Sequence, residues 1–349
     1  MLAEYGSSGT AYMTLREGNS LYFGPARASY AAYRVNSNIA VVLGDPIGPD
    51  SLFVPTINGF AEFAREQGWD HVFYAVTSSL LTGYKEAGYN TLQIGEEAVI
   101  PLEILEFKGK EWQSIRSAMN RAERTGVMFR MYEGGKVPPD VREQLVSIND
   151  EWLEQRGLPP MEFTLGNIND IDDPNIAVSV AADASGRVHA YADWLPVYTR
   201  RGWVIDLMRR RGDAMHGAME FVIGMSLMAF KARGFKTASL ATAPLADIDR
   251  EKDSSLVPWI LGQVYDRFET YYHFRSLFEF KGKVQPSWEP IFLVYGTPGQ
   301  LPRIALSVLK AHLPGLDAIM VAKLLGSAAA ERLFAEKGKT RPANQGADD

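Results

Sequence analysis

Three strand-like runs follow one another in the second half of the chain, before one long helical run and a further strand. The strands cover residues 176–180, 189–195 and 203–207, the helical run covers 217–233, and the last strand covers 237–240. The strand runs are short and apolar, and the helix is closed by Gly234. This order predicts a mixed sheet with a helix packed on one face.

The first half alternates in a similar way. Strands are predicted at residues 39–43, 71–76 and 127–132, and helices at 56–68, 80–87 and 110–124. A stretch rich in glycine and proline, residues 132–139, separates this half from a predicted amphipathic helix at 141–156. We therefore expect an N-terminal domain at 1–137, a C-terminal domain at 138–300, helices at 301–335 and a disordered tail at 336–349.

The order of strands and helix in the second half resembles that of an acyltransferase domain of the N-acetyltransferase (GNAT) type. Two α/β halves of similar length suggest that such a domain occurs twice. The predicted fold class is therefore α/β (α+β), with tandem GNAT-like domains, central mixed sheets and C-terminal helices. The second of the two is expected to be the catalytic one.

Composition excludes several kinds of chemistry. The chain has 349 residues and no cysteine, so disulfides and thiolate nucleophiles are ruled out. Its five histidines lie far apart, which disfavours a zinc site. Phosphate-binding loops, nucleophile elbows and dinucleotide fingerprints are missing from the sequence, so no cofactor and no metal are predicted. No run of about 18 apolar residues predicts a membrane span.

The net charge of −6 argues against a wide nucleic-acid groove, but basic residues are clustered. Residues 108–130 hold six basic and two acidic side chains, and residues 200–211 hold five arginines and one aspartate. Such clusters fit local contacts with phosphates, but charge runs are more often solvated helix faces and ordinary surface pairs.

One stretch, residues 202–217, combines an acid, a base and the start of a helix. Asp206 and Arg209 lie three residues apart at the end of an apolar strand. An acid, a base and a helix N-terminus together suit a site that binds an anion and moves protons. The alternative is a structural ion pair at the end of the strand.

Several stretches, in order along residues 1–310, resemble the soluble catalytic domain of the bacterial aminoacyl-phosphatidylglycerol synthases, the multiple peptide resistance factor family. They include Val42-Leu-Gly-Asp-Pro-Ile-Gly-Pro49, Ile94-Gly-Glu-Glu-Ala98, Asp206-Leu-Met-Arg209, Ala243-Pro-Leu245 and Trp288-Glu-Pro290.

The resemblance implies transfer of an amino acid, with lysine or alanine expected, from aminoacyl-tRNA to the hydroxyl of an anionic phospholipid such as phosphatidylglycerol. The two substrates are expected to enter a tunnel between the halves from opposite sides. The family acts at the cytoplasmic face of the bacterial inner membrane, changes surface charge and confers resistance to antimicrobial peptides. Its members usually carry an N-terminal transmembrane flippase domain, which we expect to be a partner of this chain.

The residue patterns and the resemblance together assign roles to particular residues. Those expected to be catalytic are Asp206, Arg209, Lys283 and Glu289, and those expected to bind substrate are Ser239, Arg116, Arg121, His216 and Tyr272. Two other functions remain open. The acceptor can be a peptide, as in peptidoglycan-branching transferases, or the chain can be a non-catalytic module that binds tRNA or a membrane surface.

Overall fold

Eleven strands of the described part of the chain form one mixed sheet. The computed structural model describes residues 1–156, 161–244 and 274–315. The strands are β1 Ser20–Phe23, β2 Tyr30–Asn36, β3 Ile39–Leu43, β4 Asp70–Thr77, β5 Asn90–Pro101, β6 Met128–Tyr132, β7 Ala177–Ala182, β8 Val188–Val197, β9 Gly202–Arg210, β10 Thr237–Pro244 and β11 Ser287–Tyr295. The helices are α1 Leu2–Tyr5, α2 Phe53–Glu66, α3 Leu81–Glu86, α4 Gln113–Thr125, α5 Pro139–Arg156, α6 Ala218–Ala232, α7 Phe274–Gly282 and α8 Leu301–His312.

The two halves of the chain repeat one arrangement. Three antiparallel strands are followed by a helix and by a strand that is parallel to the third: β1–β3, α2 and β4 in the first half, and β7–β9, α6 and β10 in the second. The helix between the parallel strands is the crossover that parallel pairing requires. The predicted α/β fold with two acyltransferase-type halves is thereby confirmed.

The halves exchange strands at the centre of the sheet. The strand order is β1-β2-β3-β4-β11-β5-β10-β9-β8-β7-β6. Strand β11 of the second half pairs with β4 and β5 of the first, and β5 also pairs with β10 of the second. The hydrogen bonds of the sheet thus continue from one half into the other. The domain boundary after residue 137 stays a prediction.

Each parallel pair separates at a residue in the left-handed backbone region. Pairing of β3 with β4 ends at Leu43 and Tyr74, just before Ala75, whose φ is 64°. Pairing of β9 with β10 ends at Val204 and Ser239, two residues before Ala241, whose φ is 59°. A non-glycine residue with positive φ costs about 1–3 kcal/mol and often marks a functional position. In sheets with parallel strands, ligands bind where the strands diverge.

The two faces of the sheet are covered differently. One face is buried by a single apolar cluster that contains residues of both halves, among them Tyr12, Leu145 and Ile304. The other face carries separate clusters, one beneath α2 and α3 and one beneath α4 and α6. Side chains from the two halves therefore meet on the first of these faces, which the shared cluster covers.

The predicted helices and strands of the described regions are confirmed, with moderate differences at their ends. Strand β10 extends to Pro244, so it is longer than predicted. Strands β1, β2 and β5 were not predicted. Of the predicted C-terminal helices, α8 is present, and the remainder of 301–335 beyond residue 315, together with the tail 336–349, lies outside the described residues. Within the described ranges, no helix has the length and apolar character to cross a membrane.

Because strands of one half pair with strands of the other, we expect the two halves to unfold together. Phe60 is fully buried against Phe63, Phe73, Tyr22 and Tyr33 in the first half, so Phe60→Ala should cost about 3–5 kcal/mol. Hydrogen exchange in urea, measured on peptides from β2–β3 and from β7–β8, should show the same loss of stability in both. A loss confined to β2–β3 would contradict a shared sheet. Leu15→Ala, at a side chain that is 56% exposed, is the control.

Candidate functional site

Two clusters of buried polar side chains lie near the point where β9 and β10 separate. The Asp206 cluster consists of Arg16, Asp170, Asp193 and Asp206. The Glu97 cluster consists of Glu97, Ser239 and Lys281. Gly9 lies against the Glu97 cluster and β9, because a side chain there would come within 2.6 Å of Glu97 Oε1 and 3.3 Å of Val204. The N-terminal segment can approach Glu97 this closely only because residue 9 is glycine.

Asp206 is held by groups from both halves. Its side chain is 0% exposed and forms an ion pair with Arg16 Nη2, which follows the short helical turn Tyr12–Leu15. The backbone N–H of Gly166 donates to Oδ1 and Oδ2 of Asp206 at 3.0 and 3.1 Å. Arg16 Nη2 also lies 3.3 Å from Asp170 Oδ2. Asp206, the acid predicted from the sequence, is therefore held in place by Arg16 from the first half of the chain.

Asp193 is a second buried carboxyl group beside Asp206. A bulge places it on β8 opposite Asp206 and Leu207 of β9, since Ala192 pairs with Met208 and Trp194 with Ile205. The backbone N–H of Leu207 donates to Asp193 Oδ1 at 2.5 Å. Burial, and then the neighbouring charge of Asp206, raise the pKa of Asp193 well above its ordinary value. Asp193 therefore keeps its proton to a higher pH than an exposed aspartate does.

Arg209 lies on the same strand as Asp206 and is also buried. Its guanidinium carbon lies 3.5 Å from the ring centroid of Trp152 on α5, and its Nη1 donates to the carbonyl of Met208 at 2.9 Å. Tyr191 of β8 is its partner in the register of the two strands. Stacking on an aromatic ring fixes the guanidinium plane and keeps a positive charge beside the Asp206 cluster.

The Glu97 cluster joins two strands, β5 and β10, to α7. Ser239 Oγ donates to Glu97 Oε1 at 2.6 Å and accepts from the N–H of Ala241 at 2.9 Å. Lys281 Nζ donates to the carbonyls of Ala241 and Thr242 at 3.2 and 2.9 Å. The strained bulge of β10 is therefore held from one side by a serine and from the other by a lysine.

Burial shifts the two ionisable groups of the Glu97 cluster toward neutrality. Burial raises the pKa of Glu97, against the hydrogen bond from Ser239. Burial lowers the pKa of Lys281 from 10.5 to about 7, although the charge of Glu97 opposes the shift. Lys281 is therefore an amine that can be neutral at physiological pH, which an exposed lysine is not.

Glu289 belongs to the edge of this site. It lies directly opposite Glu97 in the pairing of β11 with β5, and its carboxylate accepts a hydrogen bond from Arg200 Nη1 at 2.9 Å. Lys283 instead forms an ion pair of 2.8 Å with Glu220 at the start of α6. Since α6 packs on the other face of the sheet, the contacts of Lys283 connect it to neither cluster.

Three further predicted residues, Arg116, Arg121 and His216, make no hydrogen bond or ion pair with either cluster within the described part of the chain. On α4, Arg116 donates to the carbonyl of Phe107 at 3.0 Å, and Arg121 is half-buried. His216 is exposed in the loop before α6, and Tyr272 lies outside the described residues. In the described ranges, no group of three or more histidine or acidic side chains is arranged to hold a metal ion.

Four buried residues of the site were not predicted from the sequence. Glu97 stands within a stretch that carries the family resemblance, and Lys281 lies two positions before the predicted residue Lys283, which is a partial signal for each of them. Arg16 and Asp193 had no such signal, because Arg16 lies 190 positions from its partner and Asp193 is a lone acid in an apolar strand.

The depressed pKa of Lys281 predicts a stability that increases with pH. Between about pH 7 and 10.5 the unfolded chain holds a proton on this lysine that the folded chain has lost. The free energy of unfolding should therefore rise by about 1.4 kcal/mol per pH unit from this group. In urea unfolding at pH 7 and 9, the free energy of unfolding of the native chain minus that of Lys281→Met should rise by this amount. Lys236→Met, at a lysine that is 44% exposed, should behave like the native chain.

The sequence and the fold both match known proteins. An uncharacterized protein of Corynebacterium glutamicum is 33% identical over 309 residues, which are 87% of this chain and 39% of that protein. Phosphatidylglycerol lysyltransferase of Staphylococcus epidermidis is 28% identical over 313 residues, which are 89% of this chain and 36% of that protein. This chain therefore spans well under half the length of these relatives.

The structure of L-PGS from Bacillus licheniformis has the same fold, with a TM-score of 0.80 at 23% identity over 90% of this chain and 95% of that one. A family model described as phosphatidylglycerol lysyltransferase, C-terminal, matches residues 1–295, which include every residue of both clusters. Because that match covers most of its 349 residues, the chain belongs to the family of phosphatidylglycerol lysyltransferase C-terminal domains.

Proposed function

We propose that this chain transfers an amino acid, lysine or alanine, from aminoacyl-tRNA to the hydroxyl of phosphatidylglycerol. The observation that carries the proposal is the family match over residues 1–295, which contains two buried polar clusters at the separation of parallel strands. The relative in Staphylococcus epidermidis is a phosphatidylglycerol lysyltransferase, which supports both the lipid and the reaction class.

The reaction exchanges one ester for another. The lipid hydroxyl oxygen attacks the carbonyl carbon of the aminoacyl ester, and its proton passes to a base. The carbonyl oxygen then carries a negative charge in a tetrahedral intermediate. The intermediate collapses when the bond to the ribose oxygen breaks and that oxygen takes a proton. The enzyme must therefore orient two substrates, accept a proton and stabilise the charged oxygen.

The Asp206 cluster supplies negative charge for the amino group of the donor. Asp206 and Asp170 are balanced within the cluster by a single guanidinium, that of Arg16, so the cluster has one surplus negative charge when Asp193 is protonated. An ammonium group on the aminoacyl ester would be attracted to this surplus. Arg209 provides a nearby positive charge for a phosphate.

The Glu97 cluster supplies the proton acceptor. Lys281 donates its hydrogens to two backbone carbonyls, which leaves the lone pair of the neutral amine for a proton from the lipid hydroxyl. Ser239 would hydrogen-bond the donor ester, for which its hydroxyl group must release the hydrogen bond that it donates to Glu97. Glu289, paired with Arg200, lies opposite Glu97 on the neighbouring strand β11.

The donor and the membrane would contact basic surface outside these clusters. Helix α4 carries Arg116, Arg121 and Arg124, of which Arg124 is exposed, and such side chains suit the phosphates of tRNA. We place the reaction at the cytoplasmic face of the inner membrane, in cooperation with a transmembrane domain. A lysine added to phosphatidylglycerol would make the lipid surface less negative, which fits a role in resistance to cationic peptides.

A direct test uses the purified chain, lysyl-tRNA or alanyl-tRNA, and vesicles of phosphatidylglycerol. We expect a ninhydrin-positive lipid, identified by mass spectrometry. A peptidoglycan-type peptide is supplied in parallel, and aminoacylation of the peptide but not the lipid would refute the lipid acceptor. Binding of tRNA or vesicles without any transfer would refute the enzymatic function.

Asp206→Asn should lower the transfer rate by about 10²–10⁴-fold, since it removes the charge that holds Arg16 and attracts the donor ammonium. The matched control is Asp213→Asn, an exposed carboxylate paired with Arg187 on the same stretch of chain. Rates are measured with labelled aminoacyl-tRNA. A rate for Asp206→Asn within threefold of the control would contradict the assigned role.

A further inference from the structure

Three buried polar atoms beside Asp206 have no hydrogen-bond partner among the described residues. They are Arg16 Nη1, Tyr191 Oη and Asp193 Oδ2. Tyr191 and Asp193 are each 0% exposed, and the side chain of Arg16 is 13% exposed. A buried polar group without a partner costs about 1–3 kcal/mol, so three in one place call for an explanation.

The three groups occupy neighbouring positions on one face of the sheet. Tyr191 and Asp193 are two residues apart on β8, which directs both side chains to the same face. Arg16 reaches this face through its ion pair with Asp206, which lies across the bulge from Asp193. The charge of Asp206 affects both Tyr191 and Asp193, as expected for close neighbours.

All three groups can act as donors. A guanidinium has only N–H groups to offer, and a phenol offers its O–H. Asp193 offers an O–H when it holds a proton, and its surroundings favour that state. One guanidinium faces three carboxyl groups, Asp193 is wholly buried, and its single described hydrogen bond is from a backbone N–H to the other oxygen.

We propose that Tyr191, protonated Asp193 and Arg16 form an oxyanion-binding site, which holds the carbonyl oxygen of the aminoacyl ester. This assignment rests on the proposed transfer reaction and adds to it the group that stabilises the tetrahedral intermediate. As the lipid hydroxyl oxygen attacks the carbonyl carbon, the electron pair of the carbonyl bond moves to the carbonyl oxygen. The three donors then stabilise the negative charge on that oxygen. In the ground state the uncharged carbonyl oxygen is a weaker hydrogen-bond acceptor than the oxyanion. The three hydrogen bonds therefore strengthen in the transition state. Phenol and protonated carboxyl groups can together stabilise an oxyanion.

The first test is Tyr191→Phe, which removes one oxygen atom from a fully buried ring. We expect the transfer rate to fall by about 10²-fold, the effect of losing one oxyanion donor. The unfolding equilibrium should stay unchanged or shift toward the folded state, because the lost hydroxyl has no partner in the described residues. The control is Tyr84→Phe, the same change at a fully buried tyrosine of the first half.

The second test is the pH dependence of Asp193→Asn. Groups that face Asp193 are Asp206, Arg16 and Asp170, and Tyr191 beside it also senses Arg209 and Asp150. The native rate should fall at alkaline pH as Asp193 loses its proton. The introduced amide does not titrate and still donates a hydrogen bond, so the variant should keep transfer at neutral pH and lose the alkaline fall.

Stability gives a readout that needs no activity. The pKa of Asp193 is higher in the folded chain than in the unfolded chain, so its proton stabilises the folded state. This stabilisation is lost as pH rises from about 4 toward the folded-state pKa. The unfolding constant of the native chain, divided by that of Asp193→Asn, should therefore rise about tenfold per pH unit in this window. A constant ratio would show that Asp193 is ionised and would overturn the assignment.

The outcomes separate the two proposals. If the native chain transfers nothing to lipid or peptide, the proposed function fails and the oxyanion site fails with it. If the native chain transfers and Tyr191→Phe keeps a third or more of the rate, the oxyanion site alone fails. A large loss in Tyr191→Phe with unchanged stability, and none in Tyr84→Phe, supports the site.

Discussion

The buried ion pair between Arg16 and Asp206 is the contact on which the site depends. It joins a residue near the N-terminus to one in β9, 190 positions later. Both side chains are largely shielded from water, so loss of either partner would leave a buried charge and cost about 3–5 kcal/mol. The Gly166 N–H fixes the other side of the carboxylate. The site therefore forms only when the two halves fold against each other.

The sheet makes this meeting of the halves possible. Because β5 and β11 are exchanged, Glu97 and Glu289 lie opposite each other although they belong to different halves. The bulge at Ala241 turns β10 away from β9, and Lys281 binds the carbonyls that the bulge exposes. The strain of the bulge is thus compensated by a buried amine, whose low pKa is useful for removing a proton.

The sequence predicted much of the fold and less of the site. Strands β7, β8 and β9 and helix α6 were recognisable because their apolar patterns are strong and short turns separate them. Strand β5 was missed because Gly95, Glu96 and Glu97 interrupt its apolar pattern, although Glu97 is buried by tertiary contacts. Spacing could not distinguish Lys281 from Lys283, since only packing decides which of them is buried. Asp206 was identified by its motif, whereas Arg16 and Asp193 depend on contacts that no local pattern encodes.

The central claim is that Arg16 and Asp206 act as one unit in aminoacyl transfer. The most direct measurement is a double-mutant cycle on the transfer rate to phosphatidylglycerol vesicles, with Arg16→Met, Asp206→Asn and the two combined. The account predicts that the double variant is scarcely slower than the slower single variant, because either change already disrupts the pair. Independent losses that multiply in the double variant would contradict it.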